Sequence, residues 1–183
     1  MGYAAMTPRG FPESEMTGTS LDRSELRRAF GCFVTGVTIV TTIGDGEPRG
    51  FTANAFTSVS LDPPLLLVCV AKSSGSYDIF RRTQSFAVNI LHRDQREISA
   101  TFASPRRDKF SGFRWTTGET GSPLLSECAA WFDCASYDQI EAGDHTILIG
   151  RVLAFSHTPL SPLGYHRGGY LGLDVESTVE ATR

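Results

Sequence analysis

The sequence has 183 residues, a net charge of −3, 40% hydrophobic and 20% charged residues, which suits one globular domain with a substantial core. This balance lacks the basic footprint of a nucleic-acid-binding protein, and the longest apolar run, Leu65–Ala71, is far shorter than the roughly 20 residues that span a bilayer. Charges interrupt residues 1–20, which lack the apolar core of a signal peptide. We therefore expect a soluble cytoplasmic protein with a folded domain over residues 21–173, flanked by a flexible tail at 1–20 and a second tail at 174–183.

The first predicted element is a helix that begins at Asp22. Glu25 follows three residues later, which is the spacing of a capping box. Apolar residues then recur at helical spacing, namely Leu26, Ala29, Phe30 and Phe33. This periodicity predicts that one face of the helix packs on the core.

Strand-like segments follow. Val34–Ile43 is dense in β-branched residues, Asp45-Gly46 is a hairpin turn signal, and Arg49–Phe56 returns as the partner strand. Leu65–Ala71 predicts a strand that is buried on both faces. The glycines around the turn lack the spacing of a dinucleotide-binding motif, and no helix follows them.

Between these strands, the stretch Gly50–Pro64 concentrates small hydrogen-bonding side chains among apolar neighbours: Thr52, Asn54, Thr57, Ser58 and Ser60. Asn donates and accepts at once, and hydroxyls rotate to suit a partner. Such a segment is suited to reading the edge of a flat polar heterocycle. An ordinary polar-faced strand and turn is the alternative interpretation.

A polar turn, Lys72–Ser76, precedes a short predicted helix over Tyr77–Thr83, with Ser76 as its N-cap. Backbone N–H groups, hydroxyls and one ammonium at a helix start form a good phosphate cradle. A solvated turn explains the same residues without any ligand.

The remaining chain alternates strands with one more helix. The predicted elements are a strand at Ser85–Leu91, a helix at Asp94–Ala103 with Ile98 and Phe102 on one face, strands at Leu124–Leu125 and Ala129–Tyr137, a long strand at 145–157 and a closing segment at Tyr165–Tyr170. The loop Ser104–Gly112 carries Arg106, Arg107 and Lys109, which suit either an anion or solvent. Many strands joined by tight turns predict a mostly β, Greek-key-like antiparallel barrel with short flanking helices.

Four cysteines stand at positions 32, 69, 128 and 134, without a C-x-x-C pair. Zinc-binding sequences place their cysteines at close, regular spacings, and none is present here. We therefore expect buried free thiols and no metal site.

Taken in order, these segments resemble the flavin reductase-like family, the short-chain reductases of two-component flavin monooxygenases. The matching segments are FVTGVTIVTT (33–42), GFTANAFTSVSLDPPLLLVCV (50–70), the turn at 72–76, FAVNIL (86–91), FSGF (110–113), GSPLL (121–125), GDHTILIGRV (143–152) and YHRGGY (165–170). They span nearly all of residues 21–173. The ordered set is specific for the family, and less so for the substrate of any one member.

The resemblance implies a split β-barrel homodimer that binds FAD or FMN and oxidises NADH or NADPH. It places the isoalloxazine ring against segments such as Thr35–Ile39 and Thr52–Ser60, and the flavin phosphate near Lys72–Ser74. The cofactor-binding residues expected from it are Thr35, Gly36, Val37, Thr38, Thr52, Ala53, Asn54, Ser58, Ser60, Ala71, Lys72, Ser73, Ser74, Phe102, Lys109, His166, Arg167, Gly168 and Tyr170.

The chemistry that the resemblance implies needs no protein nucleophile, because hydride passes between two bound rings. Hydrogen-bond donors beside the flavin ring would stabilise the charge that grows on reduction. His145, in the GDH segment, is the expected catalytic residue, since imidazole exchanges protons near neutral pH. His166 and Arg167 are candidates for contact with the nicotinamide nucleotide.

The implied function is an NAD(P)H-dependent flavin reductase, with NADH preferred, that supplies reduced flavin to a partner monooxygenase. The alternative is an electron carrier of the same fold that holds its flavin tightly and releases no reduced product. An enzyme that reduces another substrate on bound flavin is a third interpretation. The residues leave open the choices of FAD or FMN and of NADH or NADPH.

Overall fold

A computed structural model describes residues 21–173, and the two predicted tails lie outside this part of the chain. The helices are α1 (Arg23–Phe30), α2 (Tyr77–Arg82) and α3 (Arg96–Ala103). The strands are β1 (Thr35–Gly36), β2 (Thr38–Gly44), β3 (Glu47–Ala53), β4 (Phe56–Leu61), β5 (Pro64–Ala71), β6 (Ser85–Ile90), β7 (Trp115–Thr117), β8 (Pro123–Leu125), β9 (Ala130–Ala142), β10 (His145–His157), β11 (Leu163–His166) and β12 (Gly169–Gly172). In this range we find no helix with the length and apolarity that crossing a membrane requires.

Seven antiparallel strands form the main sheet, in the order β3-β2-β6-β9-β10-β5-β4. The strands at its two ends, β3 and β4, are consecutive in the chain and are joined by Asn54 and Ala55. One bent segment therefore closes the sheet into a barrel. The predicted antiparallel barrel with short flanking helices is confirmed.

Two predicted single strands are each two strands in the structure. Val34–Ile43 divides at Val37, whose N–H donates to Leu163 O and whose carbonyl accepts from the N–H of Leu91. Strand β1 consequently joins the small sheet β1-β11-β12, whereas β2 joins the barrel. Arg49–Phe56 divides at the bend between β3 and β4. Sequence propensity marks extended backbone but does not say which partner each part pairs with.

Two apolar clusters lie on opposite sides of β2. Val40 belongs to the cluster inside the barrel, and Ile39 belongs to the cluster under α3 and the short strands β7 and β8. Strand β5, predicted to be buried on both faces, instead alternates: Leu66, Val68 and Val70 are buried and their neighbours are only partly covered. Only one face of β5 therefore contributes to the core.

Helix α1 corrects a further expectation. Its N-cap is confirmed, since Asp22 Oδ1 accepts from the N–H groups of Ser24 at 2.7 Å and Glu25 at 3.3 Å. However, none of its residues is buried, and Phe30 is 71% exposed. The predicted core face thus faces away from both apolar clusters.

The cysteines are free thiols in different environments. Cys128 and Cys134 are buried, and burial raises the pKa of each to about 12. Cys69 is half-buried, and Cys32 is exposed, so the expectation of burial is wrong for Cys32. Among residues 21–173, no cluster of His, Cys, Asp and Glu side chains is arranged to hold a metal ion.

Candidate functional site

Two cavities meet at the end of β3, at Thr52, Asn54 and Ala103. We call the first the polar cavity, of about 880 Å³, because serines and basic side chains dominate its outer wall. We call the second the aromatic cavity, of about 1150 Å³, because phenylalanines and tyrosines line it. Two extended ligands can therefore approach each other at the three shared residues.

The shared edge is the bend that closes the barrel. Asn54 is exposed there, and its carbonyl accepts from the N–H of Phe56 at 3.1 Å. Within residues 21–173, the backbone N–H groups of Asn54 and Ala55 have no hydrogen-bond acceptor. Two unpaired backbone donors beside an amide side chain suit the oxygen and nitrogen edge of a flat ring.

Helix α3 forms the floor of the polar cavity and is fixed tightly to β3. Thr52 Oγ1 donates to Ser99 O at 2.7 Å. Gly50 has no side chain, and a Cβ atom there would lie 2.8 Å from the ring of Phe102. The absence of a side chain at Gly50 thus lets the Phe102 ring, 1% exposed, pack directly on the strand.

The loop after α3 adds positive charge to the polar cavity. Lys109 Nζ donates to Phe102 O at 2.8 Å and to Gly50 O at 3.3 Å, and burial lowers the pKa of this amine. Arg49, Arg106 and Arg107 also line the cavity, whose described lining contains no Asp or Glu. The cavity is therefore suited to an anionic group.

The predicted phosphate turn forms the opposite wall. Ser73, Ser74 and Ser76 line the polar cavity, and Ser74 Oγ accepts from the N–H of Ser76 at 3.3 Å. Lys72 lies outside the lining, because its Nζ pairs with Glu141 Oε2 at 2.5 Å. That hydrogen bond raises the pKa of Lys72 and lowers the pKa of Glu141. The turn therefore presents hydroxyls to the cavity, and its ammonium group contacts a carboxylate.

His145 begins β10 opposite Ala71 of β5, and both residues line the polar cavity. Its Nδ1 lies 2.7 Å from Asp144 Oδ1, and this contact lowers the pKa of the Asp144 carboxyl. Because the carboxylate occupies Nδ1, the other ring nitrogen, Nε2, is the one that can meet a ligand.

The aromatic cavity lies between α1 and the turn joining β11 to β12. In that turn, Arg167 and Gly168 have φ angles of 48° and 84°. The N–H of Arg167 donates to Gly31 O at 3.0 Å, and its Nη2 lies 3.2 Å from Cys32 Sγ. Thr35 also lines this cavity, and its Oγ1 is buried without a hydrogen-bond partner among the described residues.

The structure brings together most of the predicted site residues. The polar cavity is lined by Thr52, Ala53, Asn54, Ala71, Ser73, Ser74, Phe102, Lys109 and His145. The aromatic cavity is lined by Thr35, Val37, Thr52, Asn54, Arg167, Gly168 and Tyr170. The lining of neither cavity includes Gly36, Thr38, Ser58, Ser60, Lys72 or His166.

Two of these outlying residues have clear structural positions. Thr38 is 2% exposed, and its hydroxyl donates to Ala53 O at 2.8 Å, so it ties β2 to β3. Ser60 lies on β4, where its Oγ accepts from the N–H of Asp62 at 3.2 Å.

The sequence also left several lining residues unassigned. Arg27, Arg28, Phe30 and Phe33 line the aromatic cavity from α1 and the turn after it. Their helical spacing was a visible signal, but periodicity alone does not distinguish a core from a cleft.

Comparison with known proteins gives a consistent result. Residues 30–174 match the flavin reductase like domain. A probable flavin reductase of Rhizobium meliloti is 54% identical over 171 residues, covering 90% of this chain and 55% of that protein. The reductase component of the flavin-dependent trigonelline monooxygenase of Acinetobacter baylyi is 51% identical over 166 residues, covering 90% of this chain and 53% of that protein. The chain therefore spans about half the length of these two relatives.

Among solved structures, the NADH:FAD oxidoreductase of Streptomyces globisporus, in complex with NAD and FAD fragments, superimposes with a TM-score of 0.81. It is 40% identical, and the match covers 86% of this chain and 96% of that one.

Proposed function

Because this chain belongs to the flavin reductase like domain family, we propose that it is an NADH-dependent flavin reductase that supplies reduced flavin to a partner monooxygenase. The observation that carries this proposal is the meeting of the polar and aromatic cavities at Thr52, Asn54 and Ala103. An enzyme that passes hydride between two diffusible cofactors needs two binding sites whose inner ends touch.

The polar cavity fits the flavin. Hydroxyls from Ser73–Ser76 and the charges of Lys109, Arg106 and Arg107 surround space for a phosphate, with no carboxylate among the described lining residues. The unpaired N–H groups of Asn54 and Ala55 suit the ring edge. Burial destabilises the charged form of Lys109, and a phosphate beside it would restore favourable contacts.

When both cofactors are bound, the dihydronicotinamide supplies a hydride from C4 to N5 of the flavin, leaving oxidised nicotinamide and reduced flavin. The contribution of the protein is to orient the two rings at the bend and to exclude water between them. Donors from Asn54 and Ala55 stabilise negative charge at the ring edge. Asp144 orients the His145 ring through Nδ1, so Nε2 is the atom that would supply a proton to the reduced flavin.

We further propose that the protein is a homodimer. Strands β4, β9 and β10 carry exposed apolar side chains, including Leu61 at 91%, Phe155 at 64% and Leu153 at 52% exposure. The stacked rings of Phe56, Phe132 and Phe155 connect this surface to the barrel interior. A second copy would cover the apolar face. Light scattering should report a dimer, and Phe155→Glu should shift it to monomer; an unchanged mass would contradict this interface.

We also propose that the protein is cytoplasmic. Cys32, Cys69, Cys128 and Cys134 are all free thiols, and a reducing cytoplasm both preserves thiols and supplies reduced nicotinamide. The partner is proposed to be a flavin-dependent monooxygenase, since relatives from Acinetobacter baylyi and Rhodococcus jostii are named as the reductase parts of such enzymes.

The deciding experiment follows the loss of reduced nicotinamide absorbance with NADH or NADPH and with FAD, FMN or no added flavin. Turnover that depends on added flavin supports the reductase. Flavin binding without turnover for every pair would favour the electron carrier and overturn the proposal. The rates of the four pairs of nicotinamide and flavin also identify the preferred nicotinamide and the preferred flavin.

A second experiment tests the assigned role of His145. His145→Ala should lower the rate of NADH oxidation and leave flavin affinity unchanged, because the imidazole contributes to transfer rather than to phosphate binding. Equal losses of rate and affinity would make His145 a flavin contact instead.

A further inference from the structure

One carboxylate at the end of the barrel, Glu141, is connected to both ends of the phosphate turn (Lys72–Ser76). Strand pairing places Glu141 opposite Thr146, and Thr146 opposite Val70 of the barrel core. Paired residues share a face of the sheet, and so do residues two positions apart on one strand. Lys72 follows Val70 by two positions, so its side chain meets Glu141 on that face.

The first connection holds the start of the turn. Lys72 Nζ lies 2.5 Å from Glu141 Oε2, and the N–H of Lys72 donates to Asp144 O at 2.9 Å. Glu141 and Asp144 both belong to the hairpin that joins β9 to β10. The hydrogen bond from Lys72 lowers the pKa of Glu141, so the carboxylate is charged at neutral pH. The start of the turn is thus attached to the hairpin through both backbone and side chain.

The second connection holds the end of the turn, where α2 begins at Tyr77. The Tyr77 hydroxyl lies 3.0 Å from Thr146 Oγ1, which donates to Glu141 Oε1 at 3.1 Å. Helix α2 has six residues, and its N-cap, Ser76, makes no capping hydrogen bond through its side chain. Because so short a helix is marginal by itself, contacts outside the helix are needed to hold its first turn.

The two connections lie outside the polar cavity, and the residues between them lie inside it. The described lining includes all of residues 73–76 and omits Lys72, Tyr77, Glu141 and Thr146. Glu141 can therefore act on the shape of the turn without touching a ligand. A loop that is already held in its binding shape loses less conformational freedom when a ligand binds. The charge of a carboxylate by itself repels an anion, so the two effects of Glu141 on anion affinity have opposite signs.

We propose that Glu141 is a positioning residue that holds the phosphate turn in the shape that receives an anionic group. It acts through Lys72 at the start of the turn and through Thr146 and Tyr77 at its end. This inference rests on the proposed reductase function, because it takes the phosphate of a flavin nucleotide as the anion. It makes a residue outside the cavity a determinant of nucleotide affinity.

The first test compares FMN with riboflavin, which has the same ring and no phosphate. Glu141→Gln should raise the Kd for FMN about threefold, with kcat at saturating FMN within about twofold of the unmodified protein. It should leave the Kd for riboflavin unchanged. Asp138→Asn is the matched control, because it removes an exposed carboxylate from the same strand, outside both cavities; it should change neither Kd.

Two results of this comparison would overturn the proposal. Tighter or unaltered FMN binding by Glu141→Gln would show that the carboxylate acts by charge repulsion alone or not at all. Equal losses of affinity for FMN and riboflavin would show a general effect on the fold rather than an effect on the turn that meets the phosphate.

The second test asks whether Glu141 acts through Lys72. Lys72→Met should raise the Kd for FMN by a factor similar to that of Glu141→Gln. Combining the two substitutions should cause little further loss, because residues that act through one shared contact do not have additive effects. A full additional loss in the double variant would overturn the role assigned to Lys72.

The third test concerns the other end of the turn. Tyr77→Phe removes the hydroxyl and keeps the ring that packs on the barrel core, so it should raise the Kd for FMN about twofold and leave riboflavin binding unchanged. Unaltered FMN affinity would overturn the role of Tyr77.

These titrations separate the positioning role from the proposed function. If the expected affinities are found but the unmodified protein shows no flavin-dependent NADH oxidation, the reductase function fails and the positioning role stands. If the unmodified protein does not bind FMN, both proposals fail.

Discussion

The walls of the polar and aromatic cavities are built in different ways. The floor of the polar cavity is Phe102, 1% exposed, packed on Gly50 of β3. The outer wall of the aromatic cavity is α1, which buries no residue. A ligand in the polar cavity therefore meets groups fixed by core packing, whereas a ligand in the aromatic cavity meets side chains that retain rotational freedom. Changes on the first wall should affect folding, and changes on the second should affect binding alone.

The largest expected effect comes from the same substitution made on both walls. Phe102→Ala should lower the free energy of unfolding by about 3–5 kcal/mol, because it leaves a cavity beneath α3. Phe30→Ala should change it by about 0.5 kcal/mol or less, because the ring is exposed. Urea titrations of both variants measure the difference. Similar losses for the two variants would show that α1 contributes to the core, and the contrast between the walls would be lost.

The next effect concerns the shared edge, where the two walls meet. Asn54→Leu should weaken flavin binding by about 1–3 kcal/mol, since the ring edge loses hydrogen-bond partners. Because Asn54 lines both cavities, the KM for NADH should rise as well. Fluorescence titration measures the flavin affinity, and steady-state kinetics measure the KM for NADH. Thr57→Val is the control, because Thr57 is exposed on β4 and lines neither cavity. If the folded Asn54→Leu variant retains its flavin affinity, Asn54 is not part of the site.

A smaller effect concerns charge within the polar cavity. Burial lowers the pKa of Lys109, so this amine loses its proton at a lower pH than an ordinary lysine. Flavin affinity should therefore fall as pH rises through that lowered pKa, and it should be fully present below it. Lys109→Met should weaken binding at neutral pH by about 1 kcal/mol and abolish the alkaline loss. If both proteins lose affinity in parallel at alkaline pH, another group is responsible.

The smallest effect is expected at Thr35, on the inner side of the aromatic cavity. Its hydroxyl is buried and lacks a hydrogen-bond partner among residues 21–173. Replacing an unpaired buried hydroxyl by a methyl group costs little, so Thr35→Val should leave the free energy of unfolding within about 0.5 kcal/mol. Thermal denaturation tests this in the absence of ligands. A marked loss of stability would mean that the hydroxyl has a partner in solution that the structure does not contain.

Much of the barrel was predictable because its signals are local. The hairpin at Asp45-Gly46 forms as the sequence indicates, with φ angles of 54° and 79°, and β10 occupies the predicted range, His145–His157. The alternation of apolar and polar residues specifies a strand, and the residues preferred in tight turns specify a hairpin, without knowledge of which other strands lie beside them.

The errors arose where distant parts of the chain decide the outcome. The apolar spacing of α1 predicted burial. Helical periodicity identifies the apolar face of a helix but not the surface that this face contacts, and here the face lies along a cleft. Lys72 was expected to meet the flavin phosphate, yet it pairs with Glu141, which lies 69 positions along the chain on β9, and β10 separates β9 from β5. The polar residues Ser58 and Ser60 were grouped with Asn54 by proximity in sequence, and the bend after β3 separates them in space.

The bend at Asn54 and Ala55 also has a consequence for how ligand binding is observed. Amides in the flanking strands β3 and β4 form ladders that slow the exchange of their hydrogens with solvent, whereas the two amides at the bend are free of acceptors in the described chain. They should therefore exchange rapidly in the unliganded protein and slow down when a flavin ring accepts hydrogen bonds from them. Isotope exchange at these two amides would thus act as a local reporter of ring docking, independent of any turnover.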